Sequence, residues 1–412
     1  LNEFNIDIEN YIFLGDKNIF DDDIKNSKMT DFVYLKNDND TVYIYGYVGN
    51  DTDIVIPSQV KGYWEKADGW FDNGLLAEIG GELYKYNKTS IGDGVWFKPK
   101  TYEVVGVGNP KAQSQSDNIK FGNKLWKPVL SSKQETIRGC TPGNIKSITF
   151  SRGIEHIYDY AFAGIDNINA EINLSKGITT IGKEAFRGGR NFKGNLTIPE
   201  TVTSIGADAF DSFAEGASEK GTLRIYGCSG TETITKSDGT SETVKVIGPG
   251  LFDYAGFKNV IIGKNVEKIS DYAFGNNNRN IFGSLRIESP VKYIGNYAFQ
   301  NCVNMEGQLI ISDTVRTIGD GAFYNCESFK SMHLPVGVEY IGNSAFDNCN
   351  DLQGDLVIPE TVTYLGTNAF RNYSDNRDVN TVGDLIIRGG TKDENGNITI
   401  NKGVFTQTRF MN

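Results

Sequence analysis

Histidine, proline and methionine are scarce in the 412-residue chain, which has 2 His, 10 Pro and 4 Met. His156 and His333 lie about seven repeats apart in the pattern described below, or roughly 30 Å at one strand per repeat. They cannot form a His-pair metal site. The sequence also lacks HExxH, a Walker loop, a GxSxG elbow and GxGxxG after a strand. A Ser-His-Asp arrangement stays open, but we expect no enzyme, no metal and no cofactor.

Basic residues are outnumbered by acidic ones, 41 to 52, so the net charge is −11. A nucleic-acid or anionic-membrane surface needs a concentrated basic face, and the charge balance argues against both. No apolar run approaches the roughly 18 residues of a membrane span. The opening LNEFNIDIENY is no signal peptide, and Leu1 in place of an initiator Met predicts a trimmed chain whose export signal has been removed.

Cysteine is limited to five residues with no CxxC pair. An odd number without that spacing argues against a zinc site and against a complete disulfide framework.

The feature that is abundant is a repeat. The phrases ITTIGKEAF, VTSIGADAF, VKYIGNYAF, VRTIGDGAF, VEYIGNSAF and VTYLGTNAF recur, and IEHIYDYAF and VEKISDYAF keep the apolar frame without the glycine. A strand of the form L-x-I, as in NLTIP or DLVIP, precedes each phrase and often ends in Pro. The spacing is about 24 residues, which is the period of a stacked repeat array.

Each unit is predicted to send two strand residues and the Ile of I-G inward, and then to make a short helical turn whose Phe fills the core. One unit buries too little apolar area to fold alone, so neighbouring units must cover it. The sequence therefore predicts a β-rich leucine-rich-repeat solenoid: α/β repeats with short helical turns in a right-handed curved array, with an N-terminal β-hairpin cap and hairpin insertions.

The phrase I-G-x-x-A-F-x-x-C resembles the BspA-like leucine-rich-repeat family of bacterial surface proteins, over about residues 141 to 412. The resemblance implies a location at the cell surface or in secreted form, and adhesion to a host or matrix protein or to another bacterial surface protein. Cys302, Cys326 and Cys349 occupy the family's cysteine position, three residues after the repeat Phe. We expect a buried ladder of packing thiols, with a redox or metal role as the alternative.

Three regions are predicted: an N-terminal segment with the hairpin cap (1–61), an aromatic-rich insertion with polar loops that interrupts the first repeat (62–140), and the solenoid (141–412). Two long gaps, between Phe210 and Phe252 and between Phe370 and Phe405, are read as hairpins that protrude and contribute to binding. The acidic string at Asp393, Glu394, Asn395 and Asn397 is interpreted as turn chemistry, with an ion site as the alternative.

The insertion holds Trp64, Trp70 and Trp96, three of the four tryptophans. They form either a small satellite core or a platform that stacks on sugars or contacts protein. Glycan binding through these residues is the alternative to protein binding.

A candidate protein-binding face follows from the L-x-I strands, because the middle residue must point away from its two buried neighbours. This predicts an exposed row along the array, whose members are Thr149, Asn173, Thr197, Arg224, Ile261, Arg286, Ile310, His333, Val357 and Ile386. In its later half, apolar side chains accompany Arg286 and His333. Such a line marks a contact surface or reflects strand propensity alone. We predict that a partner or a second copy of the chain docks there, on Ile261, Arg286, Ile310, His333, Val357 and Ile386.

Overall fold

The computed structural model describes residues 32–36, 41–47, 51–66, 76–79, 82–87, 95–121, 142–235, 239–275, 279–373, 382–400, 403–408 and 410. In these residues the only helices are two three-residue 3-10 helices, Gln115–Asp117 and Pro142–Asn144. The fold is therefore β-rich, as the repeat predicts.

Eight strands precede the regular repeats. They are β1 (Phe32–Lys36), β2 (Thr41–Tyr47), β3 (Asp53–Ile56), β4 (Gln59–Lys66), β5 (Leu76–Ile79), β6 (Glu82–Asn87), β7 (Val95–Val107) and β8 (Lys120–Phe121). β1 and β2 form an antiparallel hairpin, and β2 pairs in parallel with the end of β7 and with β8. β4 and β6 both pair antiparallel with β7, and β5 pairs with β6. The hairpin thus covers the first coil, as expected of a cap.

The remaining described strands lie mainly on two sides of the coils and belong to several separate sheets. In chain order they are β9 (Ser147–Phe150), β10 (His156–Ile157), β11 (Glu171–Asn173), β12 (Thr180–Ile181), β13 (Gly194–Ile198), β14 (Ser204–Ile205), β15 (Lys220–Ile225), β16 (Gly230–Thr235), β17 (Ser241–Ile247), β18 (Asn259–Ile262), β19 (Lys268–Ile269), β20 (Leu285–Ile287), β21 (Tyr293–Ile294), β22 (Gln308–Ile311), β23 (Thr317–Ile318), β24 (Ser331–Met332), β25 (Tyr340–Ile341), β26 (Gly354–Ile358), β27 (Tyr364–Leu365), β28 (Val382–Ile387), β29 (Thr391–Lys392) and β30 (Ile398–Thr399).

On one side, each coil contributes its L-x-I strand. On the other side, it contributes a short strand that ends at the Ile of I-G, here called the I-G strand. Strands of successive coils pair in parallel, in the orders β11-β9-β3, β13-β15-β18-β20-β22-β24 and β26-β28 on the L-x-I side. On the I-G side the orders include β7-β10-β12-β14 and β16-β17-β19-β21-β23-β25-β27. β3 and the end of β7 take the two strand positions of a first coil, with β4 to β6 between them.

The segment around the repeat Phe consists of hydrogen-bonded turns, where the sequence predicts a short helical turn. The residue before the Ala of I-G-x-x-A-F has a positive φ in every described copy, as at Tyr297 (φ 54), and so has the second residue after the Phe, as at Asn301 (φ 60). Left-handed residues cannot continue a right-handed helix. The N–H of Phe299 donates instead to the carbonyl of Ala322 in the next coil, at 2.8 Å. The turns thereby form a third ladder between coils.

The repeat phenylalanines form one stack through the core, as predicted. Adjacent ring centroids lie 5.0 to 5.8 Å apart with nearly parallel planes. The members are Phe162, Phe186, Phe210, Phe252, Phe274, Phe299, Phe323, Phe346, Phe370 and Phe405. All but Phe405 are fully buried, so the stack runs through a single continuous core.

The three predicted ladder cysteines are free thiols inside this core. Cys302, Cys326 and Cys349 are fully buried. The Sγ of Cys326 donates to the carbonyl of Phe299 at 3.1 Å, and that of Cys349 donates to the carbonyl of Phe323 at 3.3 Å. Burial raises the pKa of the Cys349 thiol well above its usual value, so the neutral thiol predominates.

Another ladder of hydrogen bonds between coils is formed by the side chain of the residue that follows the Gly of I-G. The backbone N–H of Asn296 donates to Oδ1 of Asp271 at 2.8 Å, that of Asp320 donates to Oδ1 of Asn296 at 2.8 Å, and that of Asn343 donates to Oδ1 of Asp320 at 2.7 Å. The Nδ2 of Asn296 also donates to Oδ2 of Asp271, at 3.2 Å. The order Asp, Asn, Asp, Asn places an amide beside each carboxylate, which keeps like charges out of adjacent rungs. A Cβ on Gly295 would lie 2.5 Å from the backbone nitrogen of Asp271, so the preceding position must be glycine for the coils to approach this closely.

The longer insertion is a hairpin, as predicted, but it joins the I-G sheet instead of protruding. β16 and β17 are antiparallel, and β17 continues in parallel to β19. The carboxylate of Glu232 accepts hydrogen bonds from Lys268 Nζ and Ser270 Oγ. Burial alone would raise the pKa of Glu232, but these two hydrogen bonds outweigh it and lower the pKa. The insertion therefore ties its coil to the next one.

Candidate interaction surface

The middle residues of the L-x-I strands form a solvent-facing row along the array. They are exposed or half-buried at Thr149, Asn173, Thr197, Arg224, Ile261, Arg286, Ile310, His333, Val357 and Ile386. Their flanking strand residues are buried in most coils, including Ile287 and Leu309. The alternation follows from the pleat of a strand that has one face on the core.

Six members of this row carry the predicted partner-binding site. Ile261, Arg286 and Ile310 are in-register neighbours on β18, β20 and β22, and Val357 and Ile386 are neighbours on β26 and β28. His333 lies between the two groups, directly after β24. The Nε of Arg286 contacts Oε1 of Glu288 at 2.9 Å, an exposed pair that contributes about 0 to 1 kcal/mol. Three of the apolar members are half-buried, and Ile386 is exposed.

The sheet is interrupted at His333. Among the strands that the structure describes, β24 pairs only with β22, and β26 pairs only with β28. In a regular coil the residue after the strand donates its N–H to the preceding coil, as Ser312 does to the carbonyl of Ile287 at 2.8 Å. Pro359, which follows β26, stands at that position and has no N–H, so the bond from its coil back to the coil of His333 is missing. This missing bond accounts for the gap between β24 and β26. Pro335 lacks the corresponding bond to the coil of β22, where β24 is short but still paired.

The same cause operates at the other interruption. β11 and β13 belong to separate sheets, and Pro199 follows β13. On the opposite side the I-G strands β23, β25 and β27 remain paired across the coils that separate at His333. The two coils that contain β24 and β26 therefore separate on the L-x-I side and stay paired on the I-G side.

This separation leaves a cleft of about 290 Å³ in the row. Its lining residues are Met332, His333, Leu334, Val336, Asp355, Leu356, Val357, Pro359, Glu360 and Arg388. Six of the ten lining residues are apolar, and Val336 is 67% exposed, but the cleft surface combines polar and apolar atoms in similar amounts. Contact sites between proteins commonly combine apolar and polar surface in this way.

The charged residues of the cleft have both signs. Asp355 and Glu360 supply carboxylates, and Arg388 supplies a guanidinium. The Oδ1 of Asp355 accepts the backbone N–H of Asp384 at 2.8 Å, which fixes that side chain. A mixed rim suits the mixed charges of a protein surface better than it suits a polyanion.

Two of the predicted row residues, His333 and Val357, line the cleft, and the sequence did not point to Val336, Glu360 or Arg388. Val336 follows the strand in the segment that Pro335 opens, and Arg388 comes from the next coil. The sequence does show that two successive L-x-I strands end in Pro. It does not show that the coils of these strands separate.

Two of the three candidate glycan-binding tryptophans fall on described strands. Trp64 lies in β4 and Trp96 in β7, which pair antiparallel. Trp70 lies outside the described residues. Glycan binding by these three residues stays a prediction.

The described residues contain no group of three or more His, Cys, Asp or Glu side chains placed to hold a metal ion. The Nδ1 of His156 is 2.7 Å from Oγ1 of Thr180, in a coil remote from His333. Nor does any helix in the described ranges have the length and apolar character of a bilayer span.

The acidic string near the C-terminus forms a turn, in line with the preferred interpretation. The Oδ1 of Asp393 accepts the backbone N–H groups of Asn395 and Asn397, at 2.9 and 2.8 Å, and its Oδ2 accepts Asn397 Nδ2 at 3.0 Å. These hydrogen bonds lower the pKa of Asp393, with that from Asn397 Nδ2 contributing most.

Several solved structures resemble the chain. A leucine-rich cell surface protein from Faecalibacterium prausnitzii is 16% identical, with 91% of this chain and 98% of that chain covered and a TM-score of 0.30. The pneumococcal vaccine antigen PcpA is 15% identical, with 92% and 91% covered and a TM-score of 0.32. A leucine-rich repeat protein from Bacteroides ovatus is 16% identical, with 87% and 99% covered and a TM-score of 0.28. No curated protein matches the chain.

The family model for the BspA type leucine rich repeat region matches residues 124–216 and 245–377 in 6 copies. These ranges span more than half of the chain and include the repeat phrases, the cysteine ladder and all of the cleft residues except Arg388. The chain belongs to the family of BspA-type leucine-rich-repeat proteins.

Proposed function

We propose that the chain is a non-catalytic binding protein, at the cell surface or secreted, that contacts a protein through the C-terminal half of the L-x-I sheet. The partner is a host or matrix protein or another bacterial surface protein. Leucine-rich-repeat proteins in general bind other proteins and are not catalysts, and the family resemblance implies the surface location.

The cleft within the exposed row is the observation that supports this proposal best. The row offers Ile261, Arg286 and Ile310 on one side of the interruption and Val357 and Ile386 on the other, with His333 beside the opening. A partner that follows the row can place one side chain into the cleft and others along the flanking strands. Interfaces take most of their energy from a few such inserted side chains.

A paired substitution tests the proposed surface. Changing Ile310 and Val357 together to Lys adds two charges to the row without changing a fully buried position. We expect each Lys to cost the complex about 1 to 2 kcal/mol, so that affinity falls by about tenfold or more. The thermal midpoint should stay nearly constant. Binding is measured against a panel of purified extracellular-matrix proteins, with a glycan array probed by the same sample.

The matched control uses the same face of the array. Changing Thr149 and Thr197 to Lys alters two half-buried row positions far from the cleft and adds the same charge. Binding should survive in this control. If every partner that binds the native chain also binds the Ile310/Val357 variant with its original affinity, the site lies elsewhere. A glycan signal lost on changing Trp64 or Trp96 would then favour the alternative.

A further inference from the structure

The C-terminal end of the solenoid exposes side chains that belong to its core. Ile387 holds the second inward position of its L-x-I strand, where Ile287 and Ile262 are fully buried, yet it is 39% exposed. Ile398 and Ile400 are 44% and 41% exposed. Both side chains lie beside Gly390, three residues after Ile387 in the chain. At the other end the corresponding residues of β3, Ile54 and Ile56, are buried.

The backbone of β28 is also open at this end. Within the described ranges its only partner is β26. The N–H of Asp384 donates to Asp355 Oδ1 at 2.8 Å and the N–H of Arg388 donates to the carbonyl of Ile358 at 2.9 Å, so both point toward the preceding coil. Successive residues of a strand alternate in direction, so the groups of Leu385 and Ile387 point to the free edge. An open edge of this kind is a template for another strand.

The sequence of this edge is complementary to itself. In the segment Asp384-Leu385-Ile386-Ile387-Arg388, a two-fold axis through Ile386 sets two copies antiparallel. Leu385 then faces Ile387 of the second copy as a hydrogen-bonded pair, so the edge groups of both residues are satisfied in both chains. On the outer face, Asp384 of each copy lies opposite Arg388 of the other copy, so the contact contains two pairs of opposite charge. Opposite charges at directly paired positions stabilise an antiparallel pair, and like charges destabilise it.

We propose that two copies of this chain join at their C-terminal ends through antiparallel pairing of β28 with β28. The contact is isologous, since each copy offers the same segment. A head-to-tail contact would place the open end against a first coil whose core side chains are already covered. The symmetric contact covers Ile387 on both copies and continues the L-x-I sheet from one solenoid into the other.

Charge reversal separates this arrangement from other dimers. In Asp384→Arg, and equally in Arg388→Asp, two pairs of like charge face each other across the axis. The double variant Asp384→Arg/Arg388→Asp restores two opposite pairs with the signs exchanged. Glu306→Arg makes the same charge change as Asp384→Arg at an exposed position of an earlier coil and serves as the matched control.

Sedimentation equilibrium of the full chain and these variants across the micromolar range is the test. The native chain and the control should have twice the 45.5 kDa mass of one chain. Each single reversal should raise the dissociation constant by about tenfold or more, and the double variant should regain the native value. A native chain that stays monomeric overturns the proposal. So does a single reversal that dimerises normally, or a double variant that stays monomeric while its circular dichroism shows it folded.

Discussion

Truncating Phe323 to Ala removes a ring from the middle of the aromatic stack. The side chain is fully buried, and its centroid lies 5.3 Å from that of Phe299 and 5.1 Å from that of Phe346. Loss of a buried Phe costs about 3 to 5 kcal/mol through lost transfer energy and the cavity left behind. Each stacked pair contributes about 0.5 to 1.5 kcal/mol beyond burial. Because the substitution breaks two stacked pairs, we expect the free energy of unfolding to fall by about 5 kcal/mol, the upper end of the range for a buried Phe.

Urea unfolding followed by circular dichroism measures the change in the free energy of unfolding. Hydrogen exchange shows which coils lose amide protection. Each coil contacts only its neighbours, so amide protection should decline mainly in the coils of Phe299, Phe323 and Phe346. Phe282→Ala is the matched control, because Phe282 is 38% exposed and its removal should cost less than about 1 kcal/mol. If Phe323→Ala changes the free energy of unfolding by less than about 0.5 kcal/mol, the register of the repeat is wrong.

Two further expectations follow from the buried cysteines and from the half-buried Glu232. Cys302, Cys326 and Cys349 should react with a thiol reagent only after unfolding, as buried neutral thiols do, and rapid labelling of all three in the folded chain would contradict the ladder. Glu232→Gln should cost about 0.5 to 1 kcal/mol at neutral pH, because the charged carboxylate accepts from Lys268. Since folding lowers the pKa of Glu232, its contribution is present above the unfolded value of about 4.3 and is lost as the pH falls through the folded value. The unfolding free energies of the two proteins should therefore converge as the pH falls below the folded pKa of Glu232. A difference that stays the same from neutral pH down to strongly acidic pH would refute the ion pair.

The repeat phrase was enough to predict the parts of the fold that depend on one coil and its identical neighbours. The buried Phe stack, the cysteine ladder and the outward row with Ile310 all follow from side-chain period and a fixed coil length. The turns were predicted less well. Tyr297 and Asn301 adopt positive φ because their N–H groups bond to the next coil, and an I-G-x-x-A-F phrase read in one dimension suggests a local helix instead.

The cleft and the open edge depend on differences between coils. Pro359 is an ordinary strand ending when its repeat is read alone, and only pairing across coils shows that its missing N–H removes the ladder bond to the coil of His333. Ile387 resembles every other inward Ile in sequence. Its exposure comes from the lack of a following strand among the described residues, which no property of its own repeat records.

The alternation of Asp271, Asn296, Asp320 and Asn343 makes the order of the coils chemically specific. Removal of the coil that carries Asn296 would leave the Phe stack and both sheets in register, yet it would bring Asp320 against Asp271. Two carboxylates would then share one rung, with no amide between them to donate a hydrogen bond. Loss of the coil that carries Asp320 would instead bring Asn343 against Asn296, and no two carboxylates would meet. The electrostatic cost of losing one coil in this stretch therefore depends on whether that coil carries the amide or the carboxylate.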